Sequence, residues 1–87
     1  MKTITLATVL SALLFTPIVS AEATSQANAE AIQLAVSHAS RSPANVTRDK
    51  FRNPAATLEF FEVTPHSTVV EIAPGGGWYT EILAPLL

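Results

Sequence analysis

Residues 69–82 read VVEIAPGGGWYTEI, and Gly75, Gly76 and Gly77 are all the glycines the chain has. They stand between an apolar run and a segment with helical spacing. A tight turn that feeds a helix needs backbone torsions at φ > 0, which glycine adopts without a steric cost. A turn without side chains also lets a ligand come close to the backbone. The helix that follows offers unpaired N–H groups and the positive end of its dipole at the same place. Glu71, just ahead of the turn, supplies a carboxylate that can accept from the turn itself or from a ligand's amino or hydroxyl groups. This is chemistry for holding the polar groups of a cofactor. A phosphate-binding P-loop would need GxxxxGK[ST], and no Lys follows these glycines. A dinucleotide fingerprint would need Gly or Ala where Thr80 stands, because that position packs closely on the strand.

The remaining cofactor pattern is an acidic residue followed by Gly at every second position, [DE]xGxGxG. It is the glycine loop of S-adenosylmethionine-dependent methyltransferases. Glu71-Ile72-Ala73-Pro74-Gly75-Gly76-Gly77 resembles it in everything but Ala73, where the family usually has Gly. Alanine fits there provided that the position does not need φ > 0. The resemblance extends over residues 48–87, RDKFRNPAATLEFFEVTPHSTVVEIAPGGGWYTEILAPLL. This run is similar to the N-terminal part of a family of exported class I methyltransferases. In that family an Arg-Asp-rich segment and a Phe-Phe helix precede a strand ending in a Pro-Gly-Gly-Gly-Trp-Tyr-Thr turn. Thr64-Pro65-His66-Ser67 departs from the Pro-Gly turn usual before that strand. The resemblance implies a Rossmann-like α/β fold and an S-adenosylmethionine site lined by Glu71, Gly75 and Gly77. It also implies that Gly76 completes the turn and that Tyr79 and Thr80 lie at the helix start near the methionine part. The acidic residue that holds the ribose hydroxyls in such folds is expected past Leu87.

Other residues with chemical potential read more plainly. Trp78 and Tyr79 are expected to contribute buried area, as aromatics mostly do. Arg48, Asp49 and Arg52 form a solvated, locally paired cluster; the alternative is a charged segment folded over the cofactor site. His38 closes an amphipathic helix, where a cation favours the dipole, and His66 lies in a turn. Neither has partners spaced for a metal, and no nucleophile–base pair stands out. The sequence assigns no catalytic residue.

The elements that must position the turn follow from periodicity. Residues 1–23, MKTITLATVLSALLFTPIVSAEA, have the layout of a secretory signal peptide: Lys2, an apolar stretch from Ile4 to Phe15, the breaker Pro17, then small residues. Cleavage is expected after Ala21 or Ala23, and the apolar stretch is shorter than the roughly 20 residues of a spanning helix. Residues 24–39 predict an amphipathic helix with Ile32, Ala35, Val36 and Ala39 on one face, needing a partner to dock on. Residues 40–53 read as a polar connector. Asn53-Pro54 predicts a helix start, with Asn accepting from free N–H groups and Pro in the first turn, and Leu58 and Phe61 then share a face. Thr64–Ser67 predicts a turn. Thr68 to Ile72 is β-branched and apolar on both faces, which predicts a strand buried on both sides. Trp78 to Ala84 predicts a helix ended by Pro85.

The domain plan is therefore a signal segment (1–23), an N-terminal helix and connector (24–53), and the incomplete start of a methyltransferase-like domain (54–87). With no Cys and a formal net charge of −2, the chain has neither disulfides nor a basic face for nucleic acid. The expected protein is exported, periplasmic, and without a stable membrane span once cleaved. Its implied activity is methyl transfer from S-adenosylmethionine, with this chain inactive by itself. The competing expectations are an exported, non-catalytic ligand-binding module and a fragment without a role of its own. The acceptor is not legible.

Overall fold

The computed structural model describes Thr3 and residues 16–87. Five helices follow in order: α1 (Thr16–Val36), α2 (Pro43–Val46), α3 (Asp49–Arg52), α4 (Pro54–Phe60) and α5 (Trp78–Leu86). α1 packs on both α4 and α5.

The core is one small cluster. Ile32 and Ala35 of α1 meet Leu58 of α4 and Trp78, Ile82, Leu83 and Leu86 of α5. Trp78, Ile82 and Leu86 recur every fourth residue, which puts them on one face of α5. Ile32 and Ile82 are fully buried, and each such side chain contributes about 1.5–3 kcal/mol. On α1, Ile32, Ala35 and Val36 face the core as their spacing predicts, while Ala39 lies exposed in the turn after the helix. α1 also begins earlier than the periodicity suggests. Pro17 lies in its first turn, where a missing N–H costs nothing. Most of the expected signal segment, residues 4–15, lies outside the described residues.

The polar connector is more ordered than its composition suggests, since α2 and α3 lie within it. Pro43 starts α2. Asn53 closes α3 in the left-handed conformation, φ 46 and ψ 64, which Asn tolerates better than most residues. Its side chain caps nothing. Its carbonyl instead accepts from the Thr57 N–H and hydroxyl, at 3.0 and 2.9 Å. Pro54 occupies the first turn of α4 and is buried. Leu58 is buried, but Phe60 and Phe61 stay largely exposed and meet edge to face at 5.1 Å. The Thr64–Ser67 turn forms, closed by Ser67 N–H to Thr64 O at 3.0 Å and by Thr64 N–H to Ser67 Oγ at 2.9 Å.

The expected Rossmann-like α/β class is not what the chain adopts: the described residues are helical and contain no strand. Thr68–Ile72 has no regular secondary structure, and no backbone hydrogen bond ties residues 68–73 to another segment. Val70 and Ile72 are 81% and 88% exposed, so the burial on both faces that the sequence predicts is absent as well. The physical reason is pairing. β-branched residues favour an extended backbone, but a strand exists only through hydrogen bonds to a neighbour. No other described segment supplies one.

α5 runs past its expected end, because Pro85 sits inside it. Proline near a helix C-terminus removes one hydrogen bond, while Leu87 N–H still reaches Leu83 O at 2.9 Å. Among the described residues, no helix is long and apolar enough to cross a membrane.

Candidate functional site

The glycine turn enters α5 as the sequence predicts. Gly75 has φ +59 and Gly77 φ +78, both left-handed, a conformation that glycine adopts without strain. Gly77 is the N-cap of α5. Its N–H reaches Pro74 O at 3.1 Å, and its carbonyl accepts the Glu81 N–H at 2.9 Å. The N–H groups of Trp78, Tyr79 and Thr80 belong to the first turn of α5 and find no backbone acceptor.

Gly76 differs from its neighbours. Its φ is not positive, and a Cβ built on it would meet nothing within 4 Å. Neither torsion nor packing inside the chain asks for glycine at this position. At Gly75 the space is also open, and at Gly77 a Cβ would make only ordinary contact with Thr80. The turn is therefore bare backbone facing outward.

Ala73 is also left-handed, with φ 54. The condition under which alanine fits the pattern is therefore not met, and the pattern's usual Gly would hold this conformation without strain. An alanine there costs about 1–2 kcal/mol.

Glu71 and Thr80 are brought together. The Thr80 hydroxyl donates to Glu71 Oε1, closing a clasp across the turn from the residue before it to the first turn of α5. Tyr79 packs edge to face on Trp78 with ring centroids 4.5 Å apart and keeps 38% of its surface exposed. The six expected site residues thus lie on one loop and helix start, with Gly75, Gly76, Tyr79 and Thr80 exposed and Glu71 and Gly77 half-buried.

Beneath the turn lies a polar base that sequence reasoning missed. Arg41 is buried and grips Asp49 with two parallel hydrogen bonds, Nη1 to Oδ2 at 2.5 Å and Nη2 to Oδ1 at 2.9 Å. Nη1 also reaches Val36 O, the last residue of α1, at 2.9 Å. The same Asp49 Oδ1 accepts from Trp78 Nε1 at 3.0 Å, a donor shared with Asn45 O at 3.0 Å. The buried Asn45 amide in turn donates to Gly76 O at 3.3 Å. The Arg52 guanidinium lies over the Trp78 ring, 5.0 Å from its centroid. The expected solvated pair cluster is therefore partly a structural one. Asp49 serves Arg41 and Trp78 instead of Arg48. A buried indole N–H must find an acceptor. A single Trp next to the glycines, with an Asp and an Asn upstream, was the signal that could have revealed the base.

The electrostatics follow the geometry. The hydrogen bonds from Arg41 hold the Asp49 carboxyl below its usual range, against the cost of partial burial, and Asp49 raises the Arg41 pKa in return. Glu81 is also held low, by the neighbouring Asn45 amide and the Ser42 N–H. Of these, the Ser42 N–H has clear hydrogen-bond geometry, at 3.0 Å to Oε2, while Asn45 Nδ2 is directed to Gly76 O. His38 is occupied locally with Ser40, its Nδ1 lying 2.7 Å from the hydroxyl. Among the described residues, no three His, Asp or Glu side chains gather as a metal would need. No family model, curated protein or solved structure matches this chain.

Proposed function

We propose that the glycine turn binds S-adenosylmethionine and that the protein belongs to methyl-transfer chemistry. Gly76 carries this reading. Its missing side chain answers no torsional or packing need within the chain, and it leaves the backbone open to close approach by a ligand from outside. A Cβ there would fill the cradle that an incoming adenosyl compound would need. The unpaired N–H groups at residues 78–80 suit a ligand carboxylate. Glu71 is placed to accept from ligand amino or hydroxyl groups if it exchanges its Thr80 partner. Tyr79 offers an exposed aromatic face beside them.

When bound, the cofactor supplies an activated methyl group on a sulfonium. The protein's share is to fix that group in line with an acceptor and to keep water away. This chain's residues provide the binding part: Gly75 and Gly77 set the bend, Gly76 leaves the room, and Glu71 and Thr80 close the edge. Export under the N-terminal segment is part of the same reading. α1 is suited to it, because residues 20–27 are exposed and packing starts at Asn28. Cleavage after Ala21 or Ala23 removes none of the core residues described.

The test is calorimetric titration of the protein with S-adenosylmethionine and S-adenosylhomocysteine. Binding by both is expected, weakened about tenfold or more by Gly76→Val, since that side chain fills the cradle without disturbing the fold. Silence from both ligands, or full affinity in Gly76→Val, refutes the reading. Binding without methyl transfer to any acceptor supports the exported, non-catalytic module instead.

A further inference from the structure

We infer that Arg41 and Asp49 are positioning residues for the glycine turn, acting on it through Trp78 and Asn45. The inference rests on the cofactor reading for its ligand readout and on geometry alone for the rest.

Two hydrogen-bonded routes run from this pair toward the turn. Asp49 Oδ1 holds Trp78 Nε1, and Trp78 is the residue immediately after Gly77. Trp78 Nε1 also meets the Asn45 carbonyl, and the Asn45 amide holds the carbonyl of Gly76. The free peptide plane of Gly76, which no packing secures, is thus tethered from below. Its carbonyl is drawn toward Asn45, which leaves the opposite side of the turn for a ligand.

Arg41 makes the base stiff. Its guanidinium ties Asp49 to the last carbonyl of α1, so the long helix, the α3 start and the α5 start share one knot. The side chain of Arg41 is wholly shielded and that of Asp49 is 20% exposed. A paired fork of this kind has directional as well as electrostatic strength. Arg52 above the Trp78 ring and Glu81 near Arg41 are the other charges facing the knot. The buried Arg41 Nε has no partner, while both terminal guanidinium nitrogens are engaged. Aligning backbone groups with a partly buried side-chain network is how a binding loop is held without bulk of its own.

The experiment compares Asp49→Asn with Asp49→Glu and with Ile32→Val, a core change that takes no hydrogen bond from the knot. Two ligand-free signals are read on the 87-residue chain: emission from its single tryptophan and hydrogen exchange of the Gly77 amide. Affinity for S-adenosylhomocysteine is read on the same protein. Asp49→Asn is expected to shift Trp78 emission to the red, speed Gly77 exchange and weaken affinity about tenfold. Asp49→Glu should recover part of each effect, and Ile32→Val should lower the melting temperature while leaving Gly77 exchange and affinity unchanged. If Asp49→Asn fails to fold, Trp78→Phe, which keeps the ring and loses the donor, carries the exchange and affinity measurements.

Unchanged exchange and affinity in the Asp49 or Trp78 variant overturns the inference, as does an equal affinity loss in Ile32→Val. A wild-type protein that ignores S-adenosylhomocysteine overturns the cofactor reading. The two ligand-free signals then decide the positioning by themselves.

Discussion

Ala73 and Gly76 show how differently two small residues of one turn are constrained. Ala73 sits at φ 54, so its methyl group is a source of strain. Ala73→Gly is expected to stabilise the chain by about 1 kcal/mol, after allowing for the greater freedom glycine brings to the unfolded state; thermal melts followed by circular dichroism check it. Gly75→Val and Gly77→Val should lower stability by more than Gly76→Val, because only the first two force a branched side chain into the left-handed region. Equal losses at all three would mean that torsion does not distinguish them. Asp49 gives a pH dependence with a definite sign. Its folded pKa lies below the ordinary value of 3.8 because Arg41 hydrogen-bonds the charged form. Its contribution to stability is therefore complete above the unfolded value and is lost as pH falls through the folded one. Glu81 acts in the same direction. Acid titration below about pH 4 should loosen the chain, and Asp49→Asn should flatten the part of that profile due to Asp49.

α5 joins the core to the turn, which makes it the element where stability and site geometry meet. Its buried face of Trp78, Ile82, Leu83 and Leu86 docks on α1, while Gly77 and the first-turn N–H groups face the turn. Ile82→Ala should cost about 2–5 kcal/mol. For a core this small that removes most of the tertiary structure, measurable as loss of the near-ultraviolet Trp78 signal. The segment 68–73 is at the other extreme. With no backbone hydrogen bond to another segment and exposed Val70 and Ile72, its amides should exchange at rates close to those of an unfolded peptide. Strong protection there would mean that the segment had found a pairing partner.

At the scale of the whole molecule, seven buried apolar residues among those described hold three helices together, and no disulfide adds to them. Domains of this size are marginal when one core must offset the chain entropy. Thermal unfolding of the 87-residue chain is expected to be broad and weakly cooperative after loss of its N-terminal segment, and a sharp two-state transition would contradict this. Sequencing the N-terminus of exported material should find Glu22 or Thr24 first. Retention of Met1 in that material would refute the expected cleavage.

The local geometry of the glycine turn was legible in the residues, and little of the fold was. Gly75 and Gly77 announced a left-handed entry into α5. The spacing of Ile32, Ala35 and Val36 announced the docking face of α1, and Pro54 and the Thr64–Ser67 run marked a helix start and a turn. These are local matters, fixed by torsional preference and periodicity within a few residues. The strand at 68–72 was read from the same local preference and failed, because a strand is a relation between segments. The base formed by Arg41, Asn45, Asp49 and Trp78 also escaped the sequence, since its partners lie up to 33 positions apart. Composition and spacing determined which backbone conformations this chain can take cheaply. Only tertiary structure decided which donors meet which acceptors, because a hydrogen bond between distant residues depends on how the helices pack.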